Sequence, residues 1–154
     1  AAQGSNQVVE VVGEGAGGLC LCSYEAALAK NYQIDAEIVG FYSGGSRKIW
    51  DEVDALLAES GMRREDLVLY TSAQPFNQAA VFLRQEARQQ FGSDRLITTN
   101  QAENRSLQYF GLNGLIGVMQ AVTDLKEKRY QNIGAAIMEA DWDGRFAVVL
   151  LKMI

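Results

Sequence analysis

The sequence predicts a layered α/β domain, a mixed sheet with helices packed on it and a β-hairpin at the C-terminus. Three observations predict it. Short apolar, β-branched runs alternate with segments of helical period along 154 residues. Glycine-bearing turns punctuate them. The last two runs, Ile133 to Ala140 and Phe146 to Met153, flank a tight Asp141-Trp142-Asp143-Gly144 turn. This length suits one domain with a sizeable core, residues 8–154, behind a flexible lead-in of residues 1–7. The chain begins at Ala1 rather than Met, which reads as processing or as a fragment.

Val8 to Val12 reads as a strand, Gly13 to Gly18 as a turn, and Leu19 to Cys22 as a second strand, making an opening hairpin. Tyr24 to Lys30, rich in alanine, reads as a short helix. Ala36 to Tyr42 is a strand that Ser43, Gly44 and Gly45 end. Ser46 can cap the next helix, where Ile49, Val53, Leu56 and Leu57 share a face and Gly61 makes the stop. Leu67 to Tyr70 is a strand. Pro75 opens a long helix at a first-turn position, where its missing N–H is not needed. That helix presents Phe76, Ala80, Leu83 and Ala87, and Gly92 ends it. Arg95 to Thr98 is a strand. Leu107 to Lys126 reads as one apolar helix buried between layers, its glycines allowing close packing. Lys126, Lys128 and Arg129 suit its C-terminus. The alternation of strands and helices implies a largely parallel sheet with an antiparallel end.

Composition narrows the function. The formal net charge of -5 argues against nucleic acid and anionic membrane surfaces, which need clustered Lys and Arg. No apolar run approaches a membrane span and no secretory signal is visible, so the expected setting is cytoplasmic. The chain has no histidine. Ser-His-Asp and Cys-His catalysis are therefore impossible within it, as are nearly all ordinary zinc sites, and no metal or cofactor is expected. Cys20 and Cys22 read as two small apolar residues on one strand face, in a reducing compartment. Gly13, Gly15 and Gly18 also match the GxGxxG dinucleotide pattern, with Asp35 and Glu37 near the ribose-acid position. That alternative needs a helix beginning inside the glycines, whereas Leu19 to Tyr24 fits a strand better, and Glu14 repels phosphate. The Asp141 to Gly144 segment lacks the spaced oxygen ligands of a calcium loop and reads as a hairpin turn. Asn104-Arg105-Ser106 fits the glycosylation sequon, but nothing indicates secretion.

The segment Gly13 to Tyr42, GEGAGGLCLCSYEAALAKNYQIDAEIVGFY, resembles the stretch that crosses the middle of a β-ketoacyl synthase of the thiolase superfamily. A GEGAG turn is followed there by a helix of the YEHALARG type and a strand of the AEIVGYG type. Leu67 to Pro75 resembles the strand and loop of the HGTxTP motif, and Phe76 to Gly92 the helix after it. Ile97 to Asp124 resembles the KSxxGH strand and its glycine-rich helix, with Gly111, Gly114 and Gly117 in the glycine-rich part. Ala135 to Ile154 resembles the closing FGFGG turn and final strand. The resemblance implies a thiolase-like half-fold, the later part of a ketosynthase.

That family uses a cysteine nucleophile, two histidines and a lysine. The resemblance puts the cysteine in the earlier part of the fold, Tyr70 at the first histidine position, Gln108 at the second and Glu103 at the lysine. Tyrosine does not shuttle protons near pH 7 as histidine does. Glutamine is neither acid nor base, and glutamate reverses the lysine charge. The resemblance thus implies a degenerate site with no catalytic residue, a pseudoenzyme similar to a chain length factor. Such a subunit forms a heterodimer with an active ketosynthase in type II polyketide or fatty acid biosynthesis. The partners it implies are an active ketosynthase, or the missing N-terminal half of the fold, and an acyl carrier protein, in an oligomer. A free-standing scaffold domain and half of a split condensing acyltransferase are the other readings. The loop after Tyr42 and the stretch between Tyr130 and Ile133 are short, which implies reduced walls for an acyl tunnel.

Overall fold

The computed structural model describes residues 9–12, 17–45, 49–99, 101–102, 105–108, 113–127 and 134–154. Strands β1 (Val9–Val12), β5 (Gln101–Ala102) and β6 (Arg105–Gln108) form a small sheet in the order β1-β6-β5. Strands β2 (Ala36–Gly45), β3 (Leu67–Ser72), β4 (Leu96–Thr99), β7 (Gly134–Ala140) and β8 (Arg145–Met153) form the main sheet in the order β2-β8-β7-β3-β4. Four α-helices accompany them among the described residues, α1 (Tyr24–Ala29), α2 (Ile49–Ser60), α3 (Gln78–Phe91) and α4 (Asn113–Lys126), with a short 3-10 helix at Arg64–Asp66.

The α/β class and the closing hairpin stand as expected. Asp141 makes the hairpin turn: its carboxylate accepts from the backbone N–H groups of Asp143 at 3.0 Å and Arg145 at 2.8 Å. Gly144 supplies the positive φ of 77° that the turn needs. The sheet is mixed rather than largely parallel. β3 pairs in parallel with β4 and β7, while β8 pairs antiparallel with both β7 and β2.

Several sequence expectations are corrected. The opening hairpin does not form: Leu19 to Cys22 is irregular and exposed, and β1 pairs in parallel with β6. Cys20 and Cys22 are accordingly exposed free thiols, not sheet residues. The apolar run Leu19 to Cys22 pairs with no strand among the described residues, so its propensity is not realised. Gly44 and Gly45 continue β2 instead of ending it, because they pair in register with Phe146 and Arg145. Pro75 sits in a turn ahead of α3, and Asn77 is the N-cap, its side chain accepting from the N–H groups of Ala79 and Ala80. Phe76 is therefore outside the helix and exposed. The segment read as one helix from Leu107 divides into β6, which includes Leu107 and Gln108, and α4, which begins at Asn113. The lead-in residues 1–7, the Gly13 to Ala16 part of the glycine turn, Ser46 and the stretch around Tyr130 lie outside the described residues.

The core is split by the main sheet. On one face Leu67, Leu69, Met138, Phe146, Val148 and Leu150 pack under α2 and α3. α2 contributes Ile49, Val53 and Leu57 at helical spacing, and α3 contributes Ala80, Leu83, Ala87 and Phe91. On the other face Val68, Tyr70, Ala135, Ile137 and Leu151 pack under α4, through Ala121 and Leu125. α4 can lie this close because of Gly117, where an added Cβ would stand 2.8 Å from Ile137 Cγ2.

Among the described residues α4 does not cover all of this face. Ile38 and Phe41 of β2 stand opposite Leu151 and Val149 of β8, and so share their face. They remain 46% and 62% exposed. Between this strip and α4 runs a groove of about 820 Å³, lined by Leu19, Leu21, Ile38, Val118, Met119 and Val122 among others. No described helix is long and apolar enough to cross a membrane.

The close approach of α4 yields a test. Gly117→Val forces Ile137 or the helix to move and is expected to cost roughly 1–3 kcal/mol. Gly18→Ala, whose Cβ would meet nothing within 4 Å, is the control and should stay within about 0.5 kcal/mol. Urea denaturation of the two variants checks this.

Candidate functional site

The C-terminal ends of β3 and β7 carry a cluster of buried polar side chains, beside the first turn of α4. In a parallel arrangement this is where loops gather functional groups. Ser72 is the last residue of β3 and faces the α4 side, as do Val68 and Tyr70. Glu139 lies on β7, two residues beyond Ile137 on the same face, and an added Cβ at Gly114 would stand 3.7 Å from its Cγ.

The β3–β7 register runs from Leu67 opposite Gly134 to Tyr70 opposite Ile137. Beyond that ladder the Ser72 N–H donates to Glu139 Oε1 at 3.0 Å, so a side chain replaces a strand partner. The Ser72 hydroxyl donates to Glu139 Oε2. Gln74 Nε2 donates to Ser72 Oγ at 2.8 Å and to Glu139 Oε2 at 3.2 Å. Asn77 Nδ2 donates to Gln74 Oε1 at 2.8 Å and to the Ala140 carbonyl at 3.1 Å. The cluster therefore runs unbroken from the carboxyl of Glu139 to the N-cap of α3. Phe76 and Trp142, both exposed, lie in the two segments that Asn77 ties together.

Burial pushes the Glu139 carboxyl up to about 7. The hydrogen bonds from Ser72 and Gln74 and the attraction of Arg84 work against that rise without cancelling it. Arg84, on α3, is itself lowered by burial and by neighbouring Arg88, and raised by Glu139.

Of the three positions that the resemblance singled out, Tyr70 is the one whose side chain the structure describes. Tyr70 is fully buried in the second core, and its hydroxyl donates to Asp124 Oδ2 of α4 at 3.2 Å. It fills the core under α4. Gln108 is the last residue of β6, in the small sheet, and its side chain is outside the described residues, as is Glu103. Sequence reasoning missed Ser72, Gln74, Asn77 and Glu139. Two signals could have found them: Asn77 directly before a helical run reads as an N-cap, and a lone acid in the apolar run Gly134 to Ala140 marks a carboxyl that must be held.

The dinucleotide alternative is also answered by geometry. Residues 17–23 are not helical, and α1 starts only at Tyr24, capped by Ser23. The helix N-terminus that would hold a pyrophosphate does not follow the described glycines Gly17 and Gly18. Among the described residues no group of three or more His, Cys, Asp and Glu side chains could hold a metal ion.

This fold is thiolase-like. The chain is similar to the crystal structure of an acetyl-CoA acetyltransferase of Bacillus anthracis, with TM-score 0.64 and 20% identity over 86% of this chain and 34% of that one. It is similar to the Acat5 thiolase of Ascaris suum in complex with coenzyme A, with TM-score 0.62 and 16% identity over the same shares. A type II PKS acyl-carrier protein in complex with its ketosynthase bound to the hexaketide matches at TM-score 0.56 and 14% identity. That match covers 85% of this chain and 37% of that one. The chain thus spans about a third of the length of these structures. No protein-family profile and no curated relative matches it.

Two predictions follow from these contacts. Tyr70→Phe removes a donor from buried Asp124 and should cost about 1–3 kcal/mol in chemical denaturation. Glu139 should make stability pH-dependent. Its folded-state pKa of about 7 lies above the ordinary value of 4.5. Its contribution is therefore full below about pH 4.5 and lost as the pH rises towards 7, up to about 3 kcal/mol in all. Glu139→Gln should remove that part of the slope in a pH series of denaturation curves.

Proposed function

We propose that this thiolase-like domain is a non-catalytic, ketosynthase-like half that works by pairing with a complementary thiolase-like half. In this reading it resembles a chain length factor and serves polyketide or fatty acid synthesis beside an active ketosynthase. The complementary half sits on that partner or on another stretch of polypeptide. The observation that carries the proposal is the half-covered sheet face. Ile38, Leu21 and Met119 line the groove beside α4 and are exposed, as is Phe41 on the same face of β2, which suits an interaction face. The absence of histidine supports the non-catalytic part, since the decarboxylative chemistry of ketosynthases has no proton carrier of that kind here. The positions Tyr70, Glu103 and Gln108 are degenerate in this reading, and the double change Tyr70→His and Gln108→His restores nothing.

The test is co-expression with candidate ketosynthases, followed by capture and a condensation assay. The expected outcome is a stable complex with an active ketosynthase, with no condensation or malonyl decarboxylation by the chain alone. Phe41→Asp places a charge on the exposed strip and should weaken that complex at least 30-fold (about 2 kcal/mol) while leaving the fold intact, as judged by circular dichroism. A complex unaffected by Phe41→Asp sinks the proposed face. Condensation that depends on a reactive cysteine in a captured N-terminal half, with this chain contributing acid–base groups, would replace the pseudoenzyme reading with that of a split acyltransferase.

A further inference from the structure

The proposed pairing gives Cys20 and Cys22 no role, yet both line the groove beside α4 that it uses. The segment that carries them is held at both ends. Gly17 lies against α4, where an added Cβ would stand 3.0 Å from Leu115 Cδ2 and 3.7 Å from Met119 Sδ. Ser23 caps α1, its side chain accepting from the Ala26 N–H at 3.2 Å. Between these anchors residues 18–22 form neither helix nor strand, and all of them are exposed. Two free thiols, two residues apart, thus stand open to water on the wall of the groove, beside Leu21, Ile38 and Met119. Access is one of the things that sets how fast a thiol exchanges with a disulfide.

The charges around the groove decide what an adduct there does. Asp35 and Glu37 are among its lining residues, and no Lys or Arg is. Lys126 reaches the site from outside, and it is already paired with Asp35 at 2.7 Å. An adduct that carries carboxylates therefore finds no cation on the wall. Water solvates it while the groove is open. Once a partner covers the groove, the same charge is buried without a counter-ion, which is costly. The groove, about 820 Å³, has room for a tripeptide-sized group.

We propose that Cys20 and Cys22 are a thiol switch on the groove beside α4. Free thiols leave the apolar face open to its partner, and a mixed disulfide with an anionic low-molecular-weight thiol such as glutathione blocks it. The switch rests on the reading of that face as an interaction surface. In the step, a cysteine thiolate attacks one sulfur of glutathione disulfide. The new S–S bond forms as the old one breaks, and the second glutathione leaves as a thiolate that takes up the proton the cysteine gave. The cysteine sulfur is oxidised and the leaving sulfur reduced, so nothing further is consumed. Excess reduced thiol reverses the exchange.

Glutathione disulfide is the probe. The full chain is treated with it, checked by intact-mass spectrometry, and compared with untreated chain and with the double variant Cys20→Ser and Cys22→Ser. Serine has nearly the shape of cysteine but cannot exchange. One readout needs no partner, the binding of a hydrophobic dye to the chain alone; the other is the complex with the ketosynthase. The treated chain should carry the adduct, bind the dye about tenfold more weakly and form the complex at least about 100-fold more weakly. Dithiothreitol should restore both, and the double variant should respond in neither. If the reduced chain binds dye but no ketosynthase, the proposed partner fails while the dye still decides the switch. A reduced chain that binds neither overturns the interaction face and the switch with it. The switch alone is overturned if no adduct forms, if an internal Cys20–Cys22 disulfide forms in its place, if the adduct leaves dye or partner binding unchanged, or if the double variant loses as much on treatment.

Discussion

The structure depends on how unequally the two faces of the main sheet are covered. α2 and α3 close one face, and its core, from Leu67 and Leu69 through Met138 to Phe146, Val148 and Leu150, is buried. α4 lies on the other face, pulled close by Gly117 over Ile137. A sheet of five strands is wider than one helix, and among the described residues Ile38 and Phe41 at the β2 side of that face stay exposed. Apolar surface left out of water is the main driving force both for folding and for association. The open strip is thus where the physics of this fold is unfinished, and it gives the proposed pairing a cause.

The polar end of the sheet obeys a different constraint. β3 outruns its ladder with β7, and the Ser72 N–H then needs an acceptor. Glu139 supplies it at the cost of placing a carboxyl against neutral donors. Gln74 and Asn77 extend the arrangement to the N-cap of α3 and to the Ala140 carbonyl. One acid therefore joins strand pairing, helix capping and the hairpin into a single polar network. In such networks the loss of one partner is felt by the rest.

Much of the fold was legible in the sequence because burial follows period. Ile49, Val53 and Leu57 announced α2 and its face, and Ala80, Leu83 and Ala87 announced α3. The apolar runs on either side of Asp141 announced the final hairpin. Where apolar residues lacked a unique partner, the local signal misled. Leu19 to Cys22 has strand composition, but it pairs with no strand among the described residues. Leu107 looks like part of the following apolar helix, but β1 captures its segment as a strand. Pro75 fitted a helix start, but Asn77 made the better cap. The site was the least legible part. The resemblance marked Tyr70 as a degenerate position, but nothing in the sequence showed that it would be buried under α4 with its hydroxyl on Asp124. The cluster around Glu139 depends on contacts between residues more than sixty positions apart, which no local pattern reveals.

The central claim is that the open face beside α4 is an interaction surface and not a tolerated patch. Multi-angle light scattering of the chain alone, over a range of concentrations with a hydrophobic dye present, tests it most directly. The account predicts that the chain by itself binds the dye and self-associates as concentration rises, because its apolar strip has no proper cover. A monodisperse monomer of 16.9 kDa that binds no dye at any concentration would contradict it.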